Sequence, residues 1–143
     1  MKRVLLVLAA ALALSGPATA QDKPNLVTVL SAEHPQTQLM AMVLTMQSVQ
    51  QGAEARVLLC GPAGDLALKD APAAATAPQE PKGMSPQGLM RKIMETGTPV
   101  EVCAIYLPNK GVGAEALLDG VGQAKPPAMA GQLLADDTRI LSF

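Results

Sequence analysis

Two cysteines are the residues with the clearest chemical potential in this chain of 143 residues. Cys60 falls in an apolar run over residues 56–61, and Cys103 falls in another over residues 99–106. If both runs are strands of an α/β sheet, both thiols lie near its carboxyl edge, where such sheets bind their ligands. A thiolate at that edge is a nucleophile and an acceptor of sulfur. The alternative interpretation for each cysteine is a buried small hydrophobe.

A disulfide is the third interpretation of the cysteine pair, and it depends on strand order. Strands that are neighbours in the sheet hold their Cα atoms about 5 Å apart, within disulfide reach. With another strand between them the gap is about 10 Å and no bond forms. The order of the strands therefore decides whether Cys60 and Cys103 are bonded.

His34, the only histidine, lies between the first predicted strand and the helix that follows it, at the same sheet edge. An imidazole there is a candidate general base for Cys103 or a metal ligand, and the competing interpretation is a solvated loop residue. The candidate catalytic residues are therefore Cys103 and, less favoured, His34. The residues that we assign to a binding pocket around Cys103 are Cys60, Tyr106, Asn109 and Gly111.

Motifs for cofactors and metals are absent from the sequence. The glycines at 61–64 lack the Lys-Ser/Thr of a Walker loop, and Gly111-x-Gly113 lacks the third glycine of a dinucleotide fingerprint. Eight methionines raise the alternative of a soft-metal protein that binds copper. Methionines at helical spacing are more simply core residues, so neither a metal site nor a cofactor is predicted.

The N-terminus has the features of a cleavable export signal. Lys2 and Arg3 precede an apolar run at residues 4–14, and Ala18-Thr19-Ala20 fits the signal-peptidase rule. Cleavage before Gln21 leaves 123 residues with nine basic and twelve acidic side chains, a net charge of −3. In a Gram-negative host the product is periplasmic, without a membrane segment, in a compartment where disulfides persist.

Composition narrows the class of protein. One domain is expected at this length, and 49% hydrophobic residues argue against disorder throughout. One Tyr, one Phe, no Trp and no basic excess argue against a nucleic-acid binder, so no nucleic-acid partner is expected.

Strand and helix signals alternate along residues 21–143. Strands are predicted at residues 25–31, 56–61, 99–106, 121–124 and 138–143; the main helices start at Pro35, Pro86 and Pro126 or Pro127, with shorter helices at 64–69 and 114–118. Residues 71–81, rich in Ala and Pro, predict a flexible loop. This alternation is typical of an α/β domain with a five-stranded, mainly parallel sheet and helices on both faces.

Three segments resemble patterns of a known family. They are G-x-E-x-x-V at residues 52–57, the strand at 100–103 that ends in Cys103, and A-x-x-L-L-x-x-D-T-x-x-L-x-F at 130–143. With the order of elements, they make residues 24–143 resemble the DsrE/DsrF-like family, which includes TusD-type sulfur-relay proteins and YchN-type proteins. The resemblance implies a three-layer α/β/α sandwich, assembly into trimers or hexamers, and neighbouring second and third strands.

The resemblance also implies a role for Cys103, because a cysteine at this position carries a persulfide between partner proteins in the sulfur-relay members. The chain differs from those members in lacking a second cysteine soon after Cys103 and in carrying an export signal, so tRNA thiolation is not expected. The leading hypothesis is a periplasmic protein that handles sulfane sulfur or thiols, with a sulfur-donor or acceptor protein as partner. If it is active, we expect a sulfur carrier or sulfurtransferase rather than a classical hydrolase or oxidoreductase. The alternatives are a non-catalytic oligomeric binding protein with core or disulfide-bonded cysteines, and the copper binder.

Overall fold

The computed structural model describes residues 23–143. The strands are β1 (Asn25–Leu30), β2 (Glu54–Leu59), β3 (Val100–Val102), β4 (Gly122–Gln123) and β5 (Thr138–Ser142). The helices are α1 (Pro35–Gln50), α2 (Ala73–Thr76), α3 (Pro86–Glu95), α4 (Tyr106–Lys110) and α5 (Pro126–Leu133), with 3₁₀ turns at Gly61–Ala67 and Ala114–Ala116. The predicted export signal lies outside the described residues. Within them, no helix is both long and apolar enough to cross a membrane.

The five strands form one sheet in the order β4-β3-β2-β1-β5, and all paired strands are parallel. The predicted fold class, an α/β sandwich with a five-stranded parallel sheet, is therefore confirmed. β2 and β3 are neighbours, with Val57 opposite Val100 and Leu59 opposite Val102. This pairing brings the chain that follows β2 beside the chain that follows β3.

The sheet has two unequal faces. On one face, buried strand residues such as Val57 and Val102 pack against Met42 of α1 and Met90 of α3 in the main core. On the other face, Val27 and Leu58 pack against Met129 of α5 in a smaller cluster. The molecule thus has three layers, but the second helical layer is the eight-residue α5.

Local signals account for the two long helices. Pro35 occupies the first turn of α1, and Gly52 just past its end has a φ of 93°, which glycine adopts without steric cost. Ser85 caps α3, because its hydroxyl accepts a hydrogen bond of 3.0 Å from the backbone N–H of Gly88. Both helices begin and end as the sequence predicts.

The third predicted strand is too long. It was expected to continue to Tyr106, but β3 ends at Val102, and the N–H of Tyr106 donates to the carbonyl of Cys103 at 2.9 Å. That bond turns the chain into α4, which the sequence analysis missed. Lys110 is the last residue of this helix.

Residues 71–81 contain one helical turn, α2, which was not predicted. Its Ala75 is 2% exposed and belongs to the main core. Ala71, at the start of the segment, is partly buried against the same core. The flexibility of residues 71–81 stays a prediction.

Candidate functional site at the carboxyl edge of the sheet

Cys60 and Cys103 form a disulfide at the carboxyl edge of the sheet. Their Cα atoms are 5.1 Å apart, as expected for residues that directly follow neighbouring parallel strands. The N–H of Cys60 donates to the carbonyl of Leu30, and the N–H of Cys103 donates to that of Leu59. Of the three interpretations left open by the sequence, the structure shows the disulfide, and the strand pairing positions both cysteines.

The disulfide lies in the wall of an open concavity of about 660 Å³. Both cysteines are half-buried, so the bond is neither sealed in the core nor fully exposed. The concavity is lined by Cys60, Gly61, Pro62, Asp65, Cys103, Ile105, Tyr106, Asn109 and Lys110.

The concavity contains most of the predicted site residues. Cys60, Tyr106 and Asn109 line it together with Cys103. Gly111 does not line it; this residue ends α4 in a left-handed conformation, with a φ of 74°. His34 does not line it either, being exposed at the N-cap of α1 without a side-chain capping bond.

Tyr106, Asp65 and Lys110 form a hydrogen-bonded cluster beside the disulfide. The Tyr106 hydroxyl donates to Oδ1 of Asp65 at 2.6 Å, and Nζ of Lys110 donates to Oδ1 and Oδ2 at 2.7 Å and 3.0 Å. Burial, together with the hydrogen bond to the Asp65 carboxylate and its negative charge, raises the pKa of Tyr106 far above its usual range. The phenol is therefore a neutral hydrogen-bond donor at physiological pH.

An apolar rim borders the disulfide on the solvent side. Ile105, two residues after Cys103, is 72% exposed, and Gly61 and Pro62 are exposed next to Cys60. An exposed isoleucine beside a disulfide offers apolar contact to a molecule that reaches the sulfur atoms.

Sequence reasoning missed Asp65, Lys110 and Ile105. Asp65 and Lys110 are 45 residues apart and meet only because the segments after β2 and β3 share one edge. The two cysteines could have indicated this contact, because Asp65 follows Cys60 and Lys110 follows Cys103, each within seven residues. No sequence pattern marked Ile105 as exposed.

Disulfide exchange is the chemistry for which this arrangement is equipped. A thiolate attacks one sulfur atom, forms a mixed disulfide and expels the other cysteine as a thiolate. Among residues 23–143, no group of three or more His, Cys, Asp or Glu side chains is placed to hold a metal ion.

Comparisons with known proteins identify the fold. No protein-family model matches the sequence, and no curated protein matches it. Among solved structures, the ychN protein from E. coli superposes with a TM-score of 0.66 at 18% identity, covering 85% of this chain and 99% of that one. A protein of unknown function, MTH1491 from Methanobacterium thermoautotrophicum, superposes with a TM-score of 0.63 at 10% identity, covering 85% of this chain and 100% of that one.

These similarities define the class of the molecule as a YchN-type, DsrE-like α/β fold. They extend over nearly the whole length of both solved proteins. The resemblance found in the sequence is confirmed at the level of the fold.

Proposed function

We propose that this chain is an exported DsrE-like protein that handles sulfane sulfur or thiols through Cys103, with Cys60 as its resolving partner. The observation that carries the proposal is the half-buried Cys60–Cys103 disulfide in the wall of an open concavity. An open concavity is what a thiol or a polysulfide needs in order to reach these sulfur atoms. An exported protein, moreover, resides where disulfides persist.

The proposed cycle starts from the reduced form, produced when a dithiol donor is oxidised to its disulfide and passes two electrons and two protons to the cysteines. The Cys103 thiolate then attacks a polysulfide, an S–S bond of the polysulfide breaks, and a shorter polysulfide leaves. Cys103 now carries a persulfide. The Cys60 thiolate attacks Sγ of Cys103, restores the disulfide and releases hydrosulfide. In sum, one sulfane sulfur atom is reduced while the two thiolates are oxidised.

Intact-mass spectrometry tests this cycle on the mature protein. After reduction and treatment with polysulfide, Cys60→Ser is expected to keep an adduct of about 32 Da on Cys103, because the resolving thiol is missing. The wild type is expected to release sulfide and return to the disulfide form. Cys103→Ser is the matched control and is expected to carry no adduct.

Two results would overturn the proposal. One is an adduct of equal yield on Cys103→Ser, because sulfur would then be taken up by Cys60. The other is a wild-type disulfide that excess dithiothreitol does not reduce while the protein stays folded. That second result would instead support a structural disulfide. The observation in favour of this alternative is the length of β3, which has only three residues to pair with β2.

Self-association into a trimer or hexamer is part of the same proposal. It is supported by exposed apolar side chains on and beside the thinly covered face of the sheet, where Ile140 is 50% exposed and Leu134 is 82% exposed. Sedimentation equilibrium of the mature protein tests this, and a monomer at micromolar concentrations would contradict it.

A further inference from the structure

The segments that follow the two cysteines are joined by contacts other than the disulfide. Cys60 leads into the 3₁₀ turn that carries Asp65, and Cys103 leads into α4, which carries Tyr106 and Lys110. Both α4 residues donate hydrogen bonds to the Asp65 carboxylate. The two sides of the disulfide are therefore connected twice, once through sulfur and once through this cluster.

The ring of Tyr106 strengthens the second connection by packing. Gly64 is buried beneath it, and a Cβ at that position would overlap the ring carbons. Only a residue without a side chain allows such an approach. Tyr106 is itself only 7% exposed, so its ring is held against the backbone of the 3₁₀ turn and its hydroxyl is held by Asp65.

The three side chains of the cluster meet at one negatively charged group, the carboxylate of Asp65. The side chain of Asp65 is 25% exposed and that of Lys110 is 42% exposed, so their ion pair is partly shielded from water. The carboxylate accepts from both a phenol and an ammonium group, and hydrogen bonds to an ionised acceptor are stronger than neutral ones. These three residues lie outside the backbone register that pairs β2 with β3.

We infer that Tyr106, Asp65 and Lys110 are positioning residues that keep the two sulfur atoms within bonding distance after the disulfide is reduced. This clamp, as we call the three residues, rests on the proposed function and deepens it. With the clamp in place the reduced cysteines lose little freedom when they close again, which is the general advantage of preorganisation. Resolution of a persulfide on Cys103 by Cys60 depends on the same proximity.

The equilibrium between dithiol and disulfide measures this proximity directly. Reduction by dithiothreitol breaks the Cys60–Cys103 bond, gives each cysteine a proton and converts the reductant to its cyclic disulfide. A looser reduced state favours the dithiol. Breaking the clamp should therefore lower the effective concentration of the two thiols and make the reduction potential less negative.

The experiment is a redox titration of the mature protein in dithiothreitol buffers, with the fraction of disulfide read by thiol alkylation and mass spectrometry. Asp65→Asn and Tyr106→Phe are each expected to lower the effective concentration of the two thiols about three- to tenfold. This corresponds to a reduction potential that is roughly 15 to 30 mV less negative. Asp119→Asn is the matched control, because it removes an exposed carboxylate paired with Lys69 away from the site. Thr28→Val controls for destabilisation elsewhere, because it removes a buried hydroxyl of β1 that is hydrogen-bonded to Thr45. Both controls are expected to keep the wild-type potential.

The outcomes separate the clamp from the function on which it rests. If the disulfide is reducible and both clamp variants keep the wild-type potential, the clamp is overturned and the proposed function stands. If Thr28→Val shifts the potential as much as the clamp variants do, the clamp is also overturned, because general destabilisation explains the shift. If dithiothreitol never reduces the folded wild type, the proposed function fails and the clamp's role fails with it.

Discussion

At the scale of the residue, Tyr106 is the group whose behaviour the fold changes most. It is the only tyrosine of the chain, and its hydroxyl donates to Asp65 while its ring covers Gly64. Burial removes water from the phenolate, and the carboxylate repels it, so both effects stabilise the protonated form. The sequence placed Tyr106 beside the cysteine pocket but gave no indication of its acidic partner.

We predict that Tyr106 ionises only far above the ordinary tyrosine pKa of about 10. Ultraviolet titration follows this one residue directly in the folded protein and in urea, where it should ionise near the ordinary value. Because the pKa is raised in the folded state, the contribution of Tyr106 to stability is complete below pH of about 10 and decreases as the pH rises further.

Asp65→Asn is expected to lower the pKa of Tyr106, because the charge of the acceptor is removed while burial persists. Asp119→Asn, remote from the phenol, is expected to leave it unchanged. A folded wild-type protein that titrates like the unfolded one would contradict the buried, hydrogen-bonded position of Tyr106.

At the scale of the element, the sequence correctly predicted the helix starts that depend on local interactions. Pro35 and Ser85 mark helix starts by their own chemistry, and both helices begin where the sequence indicates. The end of β3 and the start of α4 were missed because residues 103–106 are as apolar as a strand and contain no glycine or proline. Packing of Tyr106 on Gly64, which is a tertiary contact, accompanies that turn. Helix α2 was missed for the same reason, since the burial of Ala75 depends on the core it enters.

The contact between β1 and α1 includes a buried pair of hydroxyl groups. Thr28 and Thr45 are both 0% exposed, their Oγ1 atoms are 2.7 Å apart, and the Thr45 hydroxyl donates to the carbonyl of Ala41 at 2.8 Å. Since the Thr45 proton is used in that bond, Thr28 is the donor within the pair. Removing Thr45 therefore leaves a buried donor without its acceptor.

We predict that Thr45→Val lowers the free energy of unfolding by about 1–3 kcal/mol, the cost of an unsatisfied buried polar group. Thr28→Val should cost about 1 kcal/mol, the net value of one hydrogen bond. The double variant should lose less than the sum, because no orphaned hydroxyl remains. Urea denaturation of all four proteins measures this; Thr76→Val, at an exposed threonine, should stay within about 0.5 kcal/mol of wild type. Strictly additive losses would show that the two hydroxyls do not interact.

At the scale of the whole molecule, strand order is the property that the residues alone left open. Both a neighbouring and a separated placement of β2 and β3 were compatible with the apolar runs, because the order depends on how each crossover helix packs across the sheet. The resemblance to the DsrE-like proteins favoured neighbours, and the sheet order β4-β3-β2-β1-β5 confirms it. This order makes the disulfide possible and brings Asp65 to Lys110. The cysteines of the site were thus predictable as candidates, whereas their bond and their polar surroundings depend on non-local packing.

The disulfide is expected to contribute to the free energy of unfolding of the whole fold. Cys60 and Cys103 are separated by 43 residues, and the chain-entropy model gives about 4 kcal/mol for a closed loop of this size. The bond also fixes β3, whose three residues make few ladder bonds of their own. We therefore expect the oxidised protein to exceed the reduced protein by about 2–4 kcal/mol in free energy of unfolding.

Urea denaturation with and without reductant measures this difference, and Cys60→Ser and Cys103→Ser should each match the reduced protein, since either one removes the same cross-link. Thermodynamic linkage then ties stability to redox chemistry, because the gain in free energy equals RT times the logarithm of the factor by which folding raises the effective concentration of the two thiols. A gain near zero would mean that the folded state holds the thiols no closer than the unfolded chain does. That result would contradict the preorganised site, because the contacts of Tyr106 and the pairing of β2 with β3 would then place no constraint on the sulfur atoms.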